Sequence, residues 1–373
     1  MRKLILIASL IIIYSSVGVN ASQNYKNPSH YSNNDSVAIV YFIKEITPEN
    51  VLKIYKALGV DFRGKTGVKI HFGEDGNKNF LNPLLTKPLM EYTGASWVET
   101  NVLYVGKRRF TDTHIALAKK HGFTFSPIDI LDSEGEIDIN TENMGFKHFK
   151  RVKIGSKFDN YDNFIIYSHF KGHGSAGFGG AIKNLAMGFA SPGGKMAQHA
   201  SEIPMLSNKE KCNKCSNCIK NCPADALFFD SDSVIMINPD KCIGCAKCIA
   251  ECPKKIITPS NNRPQTNVFL ERLVEYAYVF HNRRPMTYIN VLANISSSCD
   301  CSARAPLPFT QDIGILASND IVAIEQASHD LVAKGHNCDD AFLKESGVSG
   351  LGQIIYAEEL KMGTRKYILV EIK

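Results

Sequence analysis

Apolar and polar positions along this chain follow two periods, and the switching between them predicts the fold. Residues 37–43 form a compact β-branched and aromatic run that reads as a buried strand. Thr47, Pro48 and Glu49 then open a helix that runs through Ala57: Thr47 caps it, Pro48 takes the first helical position and Gly59 ends it. The alternation continues with a strand at 67–72, a helix at 84–92, a strand at 97–104 and a helix at 111–121 closed by Gly122. Short strands are expected at 127–131 and 152–154, and another apolar run spans 163–168. Past residue 265 the pattern resumes with a helix at 269–280 and strands at 288–295 and 313–316. A helix at 320–333 follows, with Ile321, Ile324, Ala327 and Leu331 on one stripe, and then a last strand at 367–370. Strands and helices alternating at this spacing predict an α/β fold, a sheet flanked by helices.

A chain of 373 residues allows about two domains and a large buried core. Its 44% hydrophobic and 21% charged content is ordinary for a globular protein. The formal charge of +6 is mild, and no basic run carries interleaved aromatics, so nucleic acid is not an expected partner. The first residues change the picture. Arg2 and Lys3 precede an apolar run at 4–13, and Val19-Asn20-Ala21 fits a small-x-small cleavage pattern. Residues 1–21 therefore read as a signal peptide, with export to the periplasm and no membrane span after cleavage. An uncleaved membrane anchor and a cytoplasmic chain are the alternatives. No cysteine follows the segment to carry a lipid, and residues 22–35 read as a polar linker.

Between 202 and 260 the pattern breaks. Cys212, Cys215, Cys218 and Cys222-Pro223 are followed by Cys242, Cys245, Cys248 and Cys252-Pro253. This doubled C-x₂-C-x₂-C-x₃-C-P run matches the spacing of bacterial two-cluster ferredoxins. Three cysteines at x₂ spacing wrap one cubane through a tight turn, and the fourth points away to the other cubane. Cys212, Cys215, Cys218 and Cys252 are thus expected to hold one [4Fe–4S] cluster, and Cys242, Cys245, Cys248 and Cys222 the second. Zinc ribbons use pairs of cysteines, which this spacing does not offer. Residues 226–229 and 233–237 fit the short hairpin strands of such a module. The organisation is then a signal peptide (1–21), an α/β part (36–201), an inserted α+β ferredoxin-like module (202–260) and a second α/β part (261–373).

Next to the insertion lies a stretch rich in glycine, histidine and lysine. His169, Lys171, His173, Lys183, Lys195 and His199 cluster in one short stretch, and six glycines fall between 172 and 188. Packing does not ask for so many glycines, so the backbone is expected to approach a ligand, with Gly177, Gly179, Gly180 and Asn184 as cofactor-binding candidates. A helix starting near Gly179 would turn free N–H groups toward an anion. His169, His173, Lys183 and His199 are the catalytic candidates, placed to orient or protonate a small-molecule substrate. Gly172-x-Gly174-x-x-Gly177 fits the dinucleotide pattern formally, but no second strand with an acidic residue follows at the required distance. Three cysteines remain. Cys299 and Cys301 follow a strand end and are too close in sequence for an easy mutual disulfide. They read as a site for a further metal or for redox chemistry, as one half of a disulfide to Cys338, or as inert buried thiols.

These stretches together resemble the domain-of-unknown-function 362 family in its ferredoxin-containing form. The resemblance rests on residues 169–173 and 177–188, on Cys299-Asp300-Cys301, and on the run from Asp312 to Ala327. It covers nearly everything after the first segment. Ile321 stands where the family usually has proline, a small departure at a helix start. The resemblance implies a fold and two clusters and names no reaction. The expected function is an iron–sulfur redox protein that exchanges electrons between a redox partner and a site in the α/β domain. The competing class is an electron carrier or docking protein without such a site. A cavity shared by the glycine-rich stretch and Cys299/Cys301 would favour an oxidoreductase.

Overall fold

The computed structural model describes residues 37–373 apart from 105, 200–202, 223, 243–246 and 260–264. The expected signal peptide, Cys245 and Pro223 lie outside the described residues. Eight strands form the main sheet: β1 (Ala38–Ile43), β2 (Thr66–Lys69), β3 (Ser96–Glu99), β4 (Ile128–Ile130), β5 (Asn163–His169), β6 (Met286–Leu292), β7 (Gly314–Ser318) and β8 (Tyr367–Glu371). Their order is β8-β1-β7-β6-β5-β2-β3-β4. Only β7 runs against its neighbours β1 and β6; every other pairing is parallel. The fold is α/β, with a large, mostly parallel sheet flanked by helices. Strands from both sides of the cysteine-rich insertion join in this one sheet.

Strand periodicity sorts side chains to the two faces. Phe164 and Ile166 of β5, with Tyr288 and Leu292 of β6, enter one core with the helices Ala181–Gly188, Thr266–Arg283, Ile321–Gly335 and Leu351–Glu359. The alternate positions Ile165, Tyr167, Ile289 and Val291 enter a second core with the helices Pro48–Ala57 and Lys87–Thr93. Each such fully buried side chain contributes about 1.5–3 kcal/mol. At Pro48–Ala57, the Thr47 hydroxyl accepts from the Asn50 N–H at 3.2 Å, as the capping pattern predicts.

Some strands end sooner than the apolar pattern suggests. β3 stops at Glu99 and β2 at Lys69, and the apolar residues beyond them serve loops at the strand ends. Residues 152–154 do not join the main sheet. Arg151–Gly155 pairs with Glu136–Asn140 in a separate hairpin, whose polar alternation suits a half-solvated ribbon. Among the described residues no helix is long and apolar enough to cross a membrane.

The insertion has its own small architecture. Met205–Leu206 pairs antiparallel with Ile257–Thr258 and closes its neck. Leu227–Phe229 pairs with Ile235–Ile237, and Asn217–Lys220 and Lys247–Glu251 are short helices. Its apolar cluster reaches into the α/β body through Leu103 and Met196, which pack with Cys218 and Cys248.

Candidate functional site

One cavity of about 610 Å³ opens at the C-terminal ends of β2, β3 and β5. Parallel sheets gather ligand groups at these strand ends, because loops diverge there and leave a crevice. β2 delivers Lys69 and then His71, β3 delivers Glu99 and Thr100, and β5 delivers Ser168 and His169. The glycine-rich stretch adds Lys171, His173, Gly179, Gly180, Lys183 and Asn184; Lys195, His199 and Cys301 complete the polar wall. Thr258 and Pro259, from the neck of the insertion, line the same space. All four catalytic candidates, His169, His173, Lys183 and His199, thus come together with Cys301.

Most of the cations are already paired. Lys69 reaches Glu99 at 2.8 Å, Arg108 reaches Glu74 at 3.2 Å and Glu99 at 3.6 Å, and Lys171 reaches Asp300 at 3.2 Å. Lys195 donates to the carbonyls of Asn101 and Ala190, both at 2.8 Å. Lys183 has no partner among the described residues. Burial, followed by the charge of Lys171, pulls its amine down to about 7, and burial lowers Lys195 to about 8. An unpaired amine poised near neutrality, in a wall with more cations than anions, favours a small anion and can hold or release a proton.

The candidates divide into working groups and supports. His169 is buried, with Nδ1 on the Asp300 carboxylate at 2.9 Å and Nε2 on the Ala293 carbonyl at 2.6 Å. Both nitrogens are engaged, so His169 positions the Asp300 loop and has no nitrogen left for substrate. Asn184 is likewise taken: its Oδ1 accepts from Lys69 at 2.9 Å and its amide donates to Ser168 Oγ at 3.0 Å. His199 and His173 stack on Phe269, at 5.0 Å and 6.5 Å between ring centres. Burial holds His173 well below the usual histidine range.

Of the three glycine candidates, Gly179 and Gly180 line the cavity. Gly177 does not line the cavity; at φ +72° it lies against Gly350, whose nitrogen would stand 2.2 Å from an added Cβ. An added Cβ at Gly180 would come within 2.2 Å of Glu325 Oε1. Residues 171–179 form a hairpin, Lys171–His173 against Gly177–Gly179, and so do not make the strand-to-helix turn of a dinucleotide site. The N-terminus of the helix Ala181–Gly188 is filled as well: the Ala181 N–H donates to Glu325 at 2.6 Å. The acceptor there is the protein's own carboxyl group.

Cys299 and Cys301 also depart from expectation. They are bonded to each other, across a turn that brings their Cα atoms to 5.3 Å, well inside the span of a disulfide. Cys338 is a free, half-buried thiol. His173, Cys299 and Cys301 each offer one donor atom within 4.8 Å of the others, a group that can hold a metal ion.

In the insertion, Cys212, Cys215, Cys218 and Cys252 line one small pocket, walled by Phe229, Ile235, Ile256 and Ile257. The set combines three cysteines of the first run with the last of the second. Lys214 and Ser216, between these cysteines, take φ of 57° and 62°, a left-handed backbone that wraps the chain tightly. Asp225 and Lys255, each three residues past the Cys of a Cys-Pro pair, share positive φ. Of the cysteines expected in the second set, Cys222 and Cys242 are half-buried and Cys248 is buried; none of the three is in a disulfide.

Lys69, His71, Glu99 and Arg108 were not legible as site residues. They sit singly at strand ends or in the following loops, and the available signal was a charged residue closing an apolar strand.

The family described as "Domain of unknown function (DUF362)" matches residues 66–330, a span that includes the whole insertion. The chain belongs to this family. Among solved structures, its fold is similar to the lactate racemase apoprotein of Thermoanaerobacterium thermosaccharolyticum, with 15% identity, 68% of this chain and 50% of that one covered, and a TM-score of 0.31. A Thermotoga maritima protein is similar at 12% identity, with 78% and 58% covered and a TM-score of 0.36. The chain spans 50% and 58% of the length of those two structures. No curated protein matches the sequence.

Proposed function

We propose that this family member is an iron–sulfur oxidoreductase. Cys212, Cys215, Cys218 and Cys252 hold one [4Fe–4S] cluster, and Cys242, Cys245, Cys248 and Cys222 the other. The insertion exchanges single electrons with a redox partner and with a small anionic substrate in the cavity. His173, Lys183 and His199 face that substrate, and His169 positions the loop beside it.

One observation carries the reading. The cavity has walls from both parts of the molecule: Thr258 and Pro259 come from the insertion, and Leu103 belongs both to the cavity wall and to the apolar cluster around Cys218 and Cys248. A carrier without its own site has no need for a lysine-rich cavity at that junction.

The test is iron and acid-labile sulfide analysis on anaerobically purified protein. Two clusters give about eight irons and eight sulfides per chain, with a paramagnetic signal on reduction, and Cys215→Ser halves the iron. Zinc without sulfide would overturn the proposal.

A further inference from the structure

The turn that carries the disulfide is fixed by bonds other than the disulfide itself. The Ser302 N–H donates to the Cys299 carbonyl at 3.0 Å and closes the turn. The Glu74 N–H donates to the Asp300 carbonyl at 2.9 Å, and the Asn77 side-chain amide donates to the Ser302 carbonyl at 2.7 Å. Between the two cysteines, the Asp300 carboxylate is gripped by His169 at 2.9 Å and Lys171 at 3.2 Å. With the backbone pinned by groups on two other segments, the sulfurs can separate and rejoin without unfolding the loop.

The surroundings also suit the reduced form. Cys299 is buried while Cys301 lines the cavity, so one sulfur is shielded and the other is open to reactants. The Cys301 N–H points at Cys299 Sγ from 3.3 Å, a donor in place for a thiolate. His173 stands within reach of both sulfurs. Its Nδ1 accepts from the N–H groups of Ser175 at 3.2 Å and Ala176 at 3.1 Å, so in the neutral ring the proton sits on Nε2. This tautomer leaves the ring one hydrogen-bond donor, at Nε2. A metal would need a free lone pair on that ring, and this arrangement spends one on the backbone and covers the other with a proton.

We propose that Cys299 and Cys301 form a reversible disulfide/dithiol centre through which the cavity stores and delivers two electrons. Reduction breaks the S–S bond and takes up two electrons and one proton. The proton, drawn from water in the cavity, goes to Cys301, and Cys299 stays a thiolate facing the Cys301 N–H. Delivery is the reverse: a small anion takes the two electrons and the proton, and the S–S bond re-forms. The reductant is a low-potential one-electron donor acting twice. Only this source of electrons rests on the iron–sulfur reading; the opening and closing of the bond does not.

The test uses the full chain, purified anaerobically, with iron and sulfide measured first. Iodoacetamide followed by peptide mass spectrometry reads each thiol, and Cys338, free and outside the site, is the internal control. Without reductant, Cys338 is expected to react while Cys299 and Cys301 stay bonded. With titanium(III) citrate, both become alkylated, at least tenfold faster than in the Cys215→Ser/Cys245→Ser variant, and with dithiothreitol the two proteins open alike. A reductive titration takes about four electrons per chain in the wild type and about two in Cys299→Ser/Cys301→Ser, since each cluster accepts one. The proposal is overturned if both cysteines are alkylated before any reductant, or if they stay bonded under dithiothreitol. It is equally overturned if the reduced protein takes up one cobalt(II) with thiolate charge-transfer bands that Cys299→Ser/Cys301→Ser abolishes, which would make the group a metal site. Equal titanium(III) rates in wild type and the cluster variant, with the disulfide still opening, would remove the insertion as the electron source and leave the centre standing. Absence of iron and sulfide would sink the iron–sulfur reading alone.

Discussion

In the sheet, Ile165, Ile166, Val291 and Ile315 are sealed between two apolar cores, and the cavity groups hang from that frame at the strand ends. The insertion between Met205 and Thr258 has no such frame. Its apolar cluster of Leu227, Ile235, Ile249, Ile256 and Ile257 is small, and two of its remaining buried members are the cysteines Cys218 and Cys248. Its sheets have two strands each, too few to be stable alone. A body with a large core can spend buried charges on a site. On the proposed iron–sulfur reading, a module this small relies on bonds to its clusters to fold, and in it ligand and core are the same residues.

The largest expected effect breaks the two regions apart. Stripping the iron with an oxidant and a chelator should unfold the insertion and spare the sheet. Hydrogen exchange read by mass spectrometry is expected to show residues 205–258 losing nearly all protection while β5, β6 and β7 keep theirs. An insertion that stays protected without iron would mean that its apolar cluster suffices and that the contrast drawn here is wrong.

A second, smaller effect sits in the cavity wall. Lys69 is fully buried, bonded to Glu99 at 2.8 Å, to the Ile70 carbonyl at 3.0 Å and to Asn184 Oδ1 at 2.9 Å. Lys69→Met keeps the length and removes the charge, leaving Glu99 with Arg108 at 3.6 Å and the Thr100 N–H at 3.3 Å. Breaking a buried pair from one side costs about 3–5 kcal/mol. Urea unfolding of the α/β body should show about 3 kcal/mol lost, with iron per chain unchanged. A loss under about 1 kcal/mol would mean that water in the cavity already screens the pair.

The same contrast explains what could be read in advance. The insertion's chemistry is local in sequence: Cys212, Cys215 and Cys218 reach one pocket because each is three residues from the next. The order of strands and helices was legible too, because hydrophobic period is a local property. The cavity is assembled from strand ends some thirty to a hundred residues apart, so Lys69, Glu99 and His169 carry no shared motif. Glycine was only partly legible, for a related reason: Gly179 and Gly180 line the cavity and Gly177 does not. At Gly177 and Gly180 the crowding neighbours are Gly350 and Glu325, which lie far along the chain. The Cys299–Cys301 bond escaped because spacing alone says nothing about the turn that brings the two residues together.

Glu325 offers the finest test of the sheet's ability to hold a charge. It is fully buried where the glycine-rich stretch was expected to receive a ligand anion. Its Oε1 accepts from the Ala181 N–H at 2.6 Å and the Asn290 amide at 3.0 Å, while Oε2 has no hydrogen-bond partner among the described residues. Burial outweighs these bonds and raises the carboxyl to about 7. A raised carboxyl binds its proton more tightly in the folded chain. Its stabilising contribution is therefore complete below the unfolded value near 4.5 and is lost as pH rises through about 7. A shift of this size corresponds to about 3 kcal/mol at most. Glu325→Gln keeps the oxygen that caps Ala181 and cannot ionise. Between pH 5 and pH 8 the wild type should lose up to about 3 kcal/mol more than the variant in urea unfolding, with Asp320, raised to about 6 by burial, contributing equally to both. Parallel pH curves would show that Glu325 ionises without penalty, its charge already settled by the Ala181 N–H and the Asn290 amide.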